Sequence, residues 1–259
     1  MEHSLTLLRD TWLVFQRQML LMARTPIWII VAVSQPIFYL ILYAPLLKPA
    51  LQPFGATTTA DAYRIFVPGL LVLMSIFGGL FTGFSLLAEV RSGVIERSRV
   101  TPARRLALLL GRSARDVVSL LVQALIVTVA AIPLGLAVRL GDMLLAYALL
   151  GLLALMATTL SYGVSLWLRS EAALAPVMNT VAMPLAMLSG VMLPMAYAPT
   201  WLKNIAAWNP FAWAVDGIRA LFAGGHAGDF VVWKSLGLTT VLALIAAVWA
   251  ARLFARSVA

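Results

Sequence analysis

Residues 143–168 have the sequence MLLAYALLGLLALMATTLSYGVSLWL, which contains no Asp, Glu, Lys or Arg. Crossing the hydrocarbon core of a bilayer takes about 20 consecutive apolar residues. A backbone in hydrocarbon must satisfy its own polar groups, so such a run forms a helix. Five more runs lack these charged residues: Ile27–Leu47, Ile65–Ala88, Val117–Val138, Ala172–Met195 and Ser235–Ala251. The sequence therefore predicts an all-α integral membrane protein with six transmembrane helices.

The composition points to the same class of protein. Hydrophobic residues make up 62% of the chain and charged residues 11%, whereas soluble domains carry about 25% charged residues. The chain has no cysteine, which excludes disulfides and thiolate metal sites. Its net charge of +9 fits the basic loops that orient a membrane protein. We therefore expect membrane lipid, and no nucleic acid, as a partner.

The basic residues alternate between the two sides of the predicted spans. With the N-terminus in the cytoplasm, thirteen of the nineteen Lys and Arg residues fall on the cytoplasmic side and six on the other side. Loops rich in Lys and Arg stay on the cytoplasmic side of a membrane. This distribution predicts that both termini are cytoplasmic.

Residues 1–26 are predicted to form an interfacial amphipathic helix before the first span. Apolar residues recur there at spacings of 3 and 4, which places them on one helical face. They are Leu5, Leu8, Trp12, Phe15, Met19 and Met22. Arg9, Arg17 and Arg24 interrupt the pattern and can face lipid headgroups. Thr25 and Pro26 then suit the N-cap and the first turn of a new helix.

The outer segment 196–234, between the fifth and sixth predicted spans, contains a short helix signal. Asn209-Pro210 suits a helix start, and Gly224 suits a helix end. An apolar stripe recurs between them at helical spacing, formed by Phe211, Val215, Ile218 and Phe222. A helix half-sunk or re-entrant in the outer leaflet and an ordinary surface helix fit this pattern equally well.

Motifs for nucleotide, metal and nucleophile chemistry are absent from the sequence. No G-x-x-x-x-G-K-[ST] phosphate loop occurs, so the chain cannot bind ATP in that manner. The two histidines, His3 and His226, lie on opposite sides of the membrane in the predicted topology. That separation argues against a metal site or histidine catalysis within one chain. We therefore expect no enzyme activity and no cofactor in this chain.

The polar residues of the predicted spans are neutral, although ion-coupled transporters usually keep an ionisable group at mid-membrane. Gln35 and Asn179 lie near prolines of their spans, and with Ser189 they are candidates for a substrate path. The alternative is that such amides and hydroxyls hold helices together or partner carbonyls freed by proline. In either case the energy for transport must come from outside the spans.

The most basic segment is 89–116, EVRSGVIERSRVTPARRLALLLGRSARD, with seven arginines and three acidic residues. Mixed charges suit docking against another protein better than adhesion to a membrane. Thr101-Pro102 suits the start of a helix that continues into the third span. The alternative is that the segment only orients the chain.

Three stretches of the sequence resemble permease subunits of the type-2 ABC exporters, closest to the daunorubicin-resistance-like branch. They are FVPGL at 66–70 followed by EVRSGVIERSRVTPARRLALLLGR at 89–112, LSGVMLPM at 188–195, and NPFAWAVDGIR at 209–219. The similarity covers nearly the whole chain, and the motif at 89–112 is fairly specific to this family.

The resemblance implies a half-transporter of the bacterial inner membrane. Two permease chains, expected to be identical, would pair with two copies of a separate ATPase that binds ATP and Mg²⁺. Residues 89–105 would match the family's coupling helix, residues 169–171 a second contact, and residues 1–26 the connecting helix. The implied ATPase-coupling residues are Glu89, Arg91, Gly93, Glu96, Arg97, Thr101, Pro102, Arg104, Arg105, Arg169 and Glu171. Substrate would pass along the first, second and fifth spans.

The apolar, uncharged spans favour export of a hydrophobic drug, an antibiotic or a lipid-like molecule. Export of a lipid-linked glycan or another envelope component is the alternative within the family. An ATP-independent channel or carrier is the alternative from another class. The lack of a mid-membrane charge and the elaborate segment 89–116 both argue against it. A membrane scaffold without transport leaves that segment unexplained.

Overall fold

The computed structural model of the chain describes residues 2–25, 27–52, 58–92, 105–137, 139–191, 195, 198–224 and 229–257. Among these residues every regular element is a helix. The elements are α1 (Glu2–Ala23), α2 (Ile27–Leu51), α3 (Thr59–Leu80), α4 (Gly83–Arg91), α5 (Arg105–Ala131), a 3-10 turn (Ile132–Leu134), α6 (Leu140–Leu168), α7 (Glu171–Leu188), α8 (Thr200–Ala206), α9 (Pro210–Phe222) and α10 (Phe230–Ser257).

Five helical runs in the described part of the chain are long and apolar enough to cross a membrane. They are Thr59–Arg91, Leu106–Leu134, Leu140–Leu168, Glu171–Leu188 and Phe230–Ala255. A sixth candidate arises if α1 and α2, which meet at a bend of 77°, are counted as one span. The prediction of an all-α membrane protein is confirmed, with five or six candidate spans.

The centre of the bundle is α6, which contacts α3, α4, α5, α7, α9 and α10. Small residues set its contact with α3 and α4. A Cβ added at Gly79 would lie 2.6 Å from the Cβ of Ala157, and one added at Gly83 would lie 2.8 Å from the carbonyl oxygen of Ser161. Ala157 and Ser161 are four residues apart on α6, so they share a helical face. Small residues at such spacing let two helix backbones approach closely.

The second predicted span is a helical run broken at Phe81 and Thr82, between α3 and α4. Ser161 of α6 bridges this break. Its hydroxyl donates to the carbonyl oxygen of Leu80 and accepts from the backbone N–H of Gly83 at 2.9 Å. Irregular backbone inside a membrane bundle must find its partners within the protein. Ser161 therefore joins α6 to α3 and α4. This is one of the two roles expected from the sequence for the neutral polar residues of the spans, that of holding helices together.

The N-terminal helix α1 packs along α5, and the two backbones come close at Gly111. A Cβ added at Gly111 would lie 2.7 Å from Cγ1 of Val14. The predicted apolar stripe takes only part in burial: its last three residues are half-buried, whereas Leu8 and Trp12 are 67% and 57% exposed. Leu8 and Trp12 are therefore available for contact with lipid, and the position of α1 at the membrane surface stays a prediction.

Several helix ends differ from the bounds of the uncharged runs. The helix α5 is described from Arg105, ahead of the run that starts at Val117, in keeping with a helix that continues from Thr101-Pro102 into the third span, although residues 101 and 102 themselves lie outside the described residues. The helix α7 ends at Leu188, short of residue 195, and Gly190 follows it with a φ of 70°. The helix α10 begins at Phe230, ahead of residue 235.

The first helix and the last turns of α10 lie at the same end of the bundle. A small core there joins Leu86 of α4, Leu109 of α5, Tyr162 of α6 and Phe254 of α10. The contact between α1 and α5 at Gly111 is adjacent to this core. We call this the basic end, because Arg91 of α4 and Arg112 and Arg115 of α5 lie there. The side of the membrane on which the basic end lies stays a prediction.

The helix α9 packs among α3, α6 and α10. Asn209 caps its start by accepting from the N–H of Phe211 at 3.0 Å, and Gly224 follows its end with a φ of 85°. All four residues of the predicted stripe are buried. The helix is thus part of the bundle, and it marks the end opposite the basic end, which we call the α9 end.

Candidate functional site

A cavity of about 940 Å³ lies between α2, α3 and α7. Gln35 lines it from α2, Met74 and Phe77 line it from α3, and Met183 and Met187 line it from α7. These helices correspond to the first, second and fifth predicted spans, along which the substrate path is expected. A concave, mostly apolar site with few polar groups is the usual form of a small-molecule binding site.

The described residues that line the cavity carry no formal charge. Its polar side chains include Gln35, Tyr39 and Gln123, the last from α5. The Nε2 of Gln35 donates to the hydroxyl of Tyr39 at 3.1 Å. On α7, Met183 and Met187 are 59% and 77% exposed, so this wall of the cavity is open to the surroundings. Such a site suits an amphiphile with a large apolar body and few hydrogen-bonding groups.

The three residues predicted for the substrate path differ in their position relative to the cavity. Gln35 lines the cavity, whereas Asn179 and Ser189 are not among its lining residues. Asn179 donates to the carbonyl oxygen of Ala175 at 3.0 Å and lies one turn before Met183 on the same helical face. Ser189 is buried, and its hydroxyl donates to the carbonyl oxygen of Ala186 at 2.6 Å.

Arg219 of α9 holds the wall of the cavity at the α9 end. Its Nε donates to the carbonyl oxygen of Ile65 at 3.1 Å, and its Nη2 donates to those of Gly190 and Val191 at 2.7 and 3.0 Å. Gly190 and Val191 both line the cavity. Burial lowers the pKa of Arg219 to about 10, and the nearby Asp216 carboxylate opposes this shift. The guanidinium therefore stays charged at neutral pH and ties α3 to the turn after α7.

A cluster of charged side chains lies at the basic end. Glu89 of α4 forms an ion pair with Arg112 of α5, whose side chain is only 7% exposed. Asp116 pairs with Arg115 at 2.6 Å and accepts a hydrogen bond from the hydroxyl of Tyr162 on α6. Removing one member of a buried pair leaves the other charge buried without compensation, which is strongly destabilising. These contacts join α4, α5 and α6 at the basic end.

The predicted ATPase-coupling residues that the structure describes lie around the same end. Arg91 of α4 and Glu171 of α7 form an exposed ion pair at 3.5 Å. Arg169 is exposed between α6 and α7 with a φ of 54°, and Arg105 begins α5. Glu89 lies in the ion pair with Arg112 described above. The other predicted residues, Gly93, Glu96, Arg97, Thr101, Pro102 and Arg104, lie outside the described residues.

Several residues of these sites have no role that can be assigned from the sequence. Arg219 is one of the six basic residues of the predicted outer side and ends the stretch 209–219 that carries the resemblance, and it directly follows Ile218 of the apolar stripe. That position, at the edge of a buried helical face, is the signal for its burial. Arg112 and Asp116 are four residues apart on α5 and share a helical face. No signal in the sequence pairs them with Glu89 or Tyr162.

Comparison with known proteins identifies the family. The family model described as ABC-2 type transporter matches residues 9–223, from α1 to the end of α9. The chain is 26% identical over 223 residues to the "Putative transport permease ycf38" of Cyanophora paradoxa, covering 85% of this chain and 76% of that protein. It is 26% identical over 241 residues to the daunorubicin resistance ABC transporter permease protein DrrB1 of Streptomyces coeruleorubidus, covering 88% and 81%. The match includes the helices that build the cavity and the charged cluster, and the chain belongs to the ABC-2 type transporter family.

Proposed function

We propose that this chain is the membrane-spanning permease of an ATP-driven exporter of hydrophobic drugs, antibiotics or lipid-like molecules. The observation that carries the proposal is the apolar cavity between α2, α3 and α7, with Gln35 and Gln123 among its few polar groups. A charged or strongly polar substrate would lose its hydration there without gaining enough hydrogen bonds in return. An amphiphile entering past the exposed Met187 would keep its apolar part out of water throughout.

The energy source in this proposal is a separate ATPase, present in two copies, that binds ATP and Mg²⁺. Family membership and the lack of a phosphate loop in the sequence both support this division of labour. The ATPase docks on residues 89–105 and 169–171, whose described parts lie together at the basic end through the pair of Arg91 and Glu171. A second, identical permease chain completes the transporter in the bacterial inner membrane, with both termini cytoplasmic.

The lining of the cavity favours a drug or a lipid over a lipid-linked glycan. Sugar-binding surfaces use aromatic rings and many hydrogen-bonding groups, whereas this lining is dominated by aliphatic side chains and methionine. Methionine is flexible and polarisable, so it adapts to apolar ligands of different shapes. A daunorubicin resistance permease is among the relatives of similar sequence, which supports the same substrate class.

The proposal is tested by purifying the protein from its native membrane in detergent and identifying the proteins that accompany it. Purification is repeated with residues 91–105 scrambled in sequence at constant composition. A matched control scrambles residues 200–206, which form α8 at the other end of the bundle. The purified complex is then placed in vesicles, and ATP-dependent movement of a fluorescent hydrophobic amphiphile is measured.

We expect an ATPase in about equal amount, lost with the scrambled 91–105 segment and retained with the control. We also expect transport that needs ATP. A chain that purifies alone and moves the amphiphile without ATP would instead be a channel or carrier. ATP-dependent movement of a lipid-linked glycan, but not of the amphiphile, would favour the glycan alternative.

A further inference from the structure

Arg219 makes a contact that helix packing alone does not require. Its guanidinium joins two segments far apart in the sequence, α3 through Ile65 and the turn after α7 through Gly190 and Val191. A planar guanidinium can bind several carbonyl oxygens in one fixed geometry, which a lysine ammonium does not reproduce. Its remaining nitrogen, Nη1, is buried without a hydrogen-bond partner.

The burial of Arg219 disfavours its charged form. The lowered pKa of Arg219 shows that removal from water outweighs the attraction of Asp216. A cation held under such conditions is a candidate for a functional role, because stability alone is served as well by an apolar side chain. The geometry identifies what it holds, since Gly190 and Val191 are part of the cavity wall.

The same turn is pressed against α3 from a second direction. A Cβ added at Gly69 would lie 2.1 Å from the carbonyl oxygen of Val191, so only glycine allows this approach. The turn itself depends on Gly190, which has a φ of 70°. Arg219 therefore pulls residues 190–191 onto α3, at a point where α3 offers no side chain to keep them away.

We propose that Arg219 is a latch that keeps the cavity closed at the α9 end by holding residues 190–191 against α3. Opening at this end requires these hydrogen bonds to break. Arg219 is thus a positioning residue for transport and does not itself contact the substrate. The proposal rests on the proposed function of the cavity as the substrate path.

Cysteine labelling tests the latch directly, because the chain has no native cysteine. Met74, on the α3 wall of the cavity and 9% exposed, is replaced as Met74→Cys. The protein in lipid nanodiscs is treated with a charged, membrane-impermeant maleimide, and the labelling rate is compared between Arg219 and Arg219→Gln backgrounds. Arg139→Gln, which alters an exposed arginine, is the matched control. Trp208→Cys, at a position 85% exposed, gives the rate of free access.

We expect Arg219→Gln to raise the labelling rate at position 74 by about tenfold or more, since hydrogen bonds to a charged group are the strong ones. Arg139→Gln should leave the rate unchanged, and Arg219→Lys should give an intermediate rate. Gly69→Ala should raise the rate without touching Arg219, because its Cβ displaces Val191. Gly69→Ala is therefore a second test of the latch if Arg219→Gln fails to fold.

An unchanged labelling rate in the folded Gly69→Ala and Arg219→Lys proteins overturns the latch. These measurements need neither substrate nor ATPase, so they stand apart from the proposed function. A responsive latch in a protein that transports nothing with ATP would overturn the proposed function and leave the latch intact.

Discussion

Replacing Ser161 by alanine tests whether this buried serine stabilises the protein by bonding to another helix. The alternative is that a buried serine in a membrane helix contributes only through its own helix. The hydroxyl of Ser161 accepts from the N–H of Gly83 at 2.9 Å and donates to the carbonyl oxygen of Leu80. Both partners belong to the break between α3 and α4, where the backbone ladder of the helix is interrupted. Ser161→Ala leaves the backbone in place and removes the bridge.

The expected loss follows from these two hydrogen bonds. A hydrogen bond between helices in a membrane protein contributes about 0.6 kcal/mol on average and about 1.7 kcal/mol at most. An unsatisfied buried backbone group costs about 1–3 kcal/mol. Because both groups of the break lose their partner and water is excluded, we expect Ser161→Ala to lower the free energy of unfolding by about 1–3 kcal/mol.

Ser165→Ala is a matched control one turn further along α6. Ser165 is as fully buried as Ser161, but its hydroxyl donates only to the carbonyl oxygen of Tyr162 at 2.8 Å, within its own helix. Its loss should change the free energy of unfolding by less than about 0.5 kcal/mol. Reversible unfolding in mixed micelles, followed by the helical circular dichroism signal, measures both variants. Equal effects of the two substitutions would refute the reasoning.

Three further predictions address the charged cluster, the cavity and the basic segment. Glu89→Gln should destabilise the protein by about 3 kcal/mol, because the guanidinium of Arg112 stays buried without its carboxylate. Adding Arg112→Met should recover most of this loss, and a double-mutant cycle with no coupling between the two positions would contradict the ion pair. Gln35→Leu should change the order in which amphiphiles stimulate ATP hydrolysis, whereas Asn179→Leu should not, because only Gln35 lines the cavity. Glu96→Lys should reduce ATP-driven transport while membrane insertion stays normal, and normal transport would remove Glu96 from coupling.

The positions of the helices can be predicted from the sequence, because charged side chains are costly in the hydrocarbon core of a bilayer. Each of the six uncharged runs corresponds to a helix or a helical run in the structure. The break at Phe81 and Thr82 cannot be predicted from the sequence, since it depends on a serine about 80 positions away in the chain. The end of α7 at Leu188 lies inside an uncharged run, and its signal in the sequence is Gly190, which has a φ of 70°.

The candidate site likewise contains residues that the sequence predicts and residues that it does not. Gln35 is found from the sequence because an amide next to a proline is unusual in a span. The position of Arg219 beside Ile218 signals its burial, but nothing in the sequence identifies the groups that it binds. Its partners are backbone carbonyls of Ile65, Gly190 and Val191, and carbonyls carry no sequence signal. Buried charges held by backbone groups are therefore the features that only a structure reveals.

The break in the second span has a consequence for energy coupling. Its first part, α3, supplies Met74 and Phe77 to the cavity, and its second part, α4, ends at Arg91 beside the segment proposed to receive the ATPase. A movement of α4 reaches the cavity wall only if the break is stiff, and Ser161 is the side chain that bridges it. Under the proposed function, Ser161→Ala should therefore lower the amount of substrate moved per ATP hydrolysed, while Ser165→Ala leaves this ratio unchanged. Both are measured in vesicles that contain the complete transporter. An unchanged ratio in Ser161→Ala would mean that the motion reaches the cavity through another helix, and α7 is then the next to test, because it lines the cavity and begins at Glu171, the partner of Arg91.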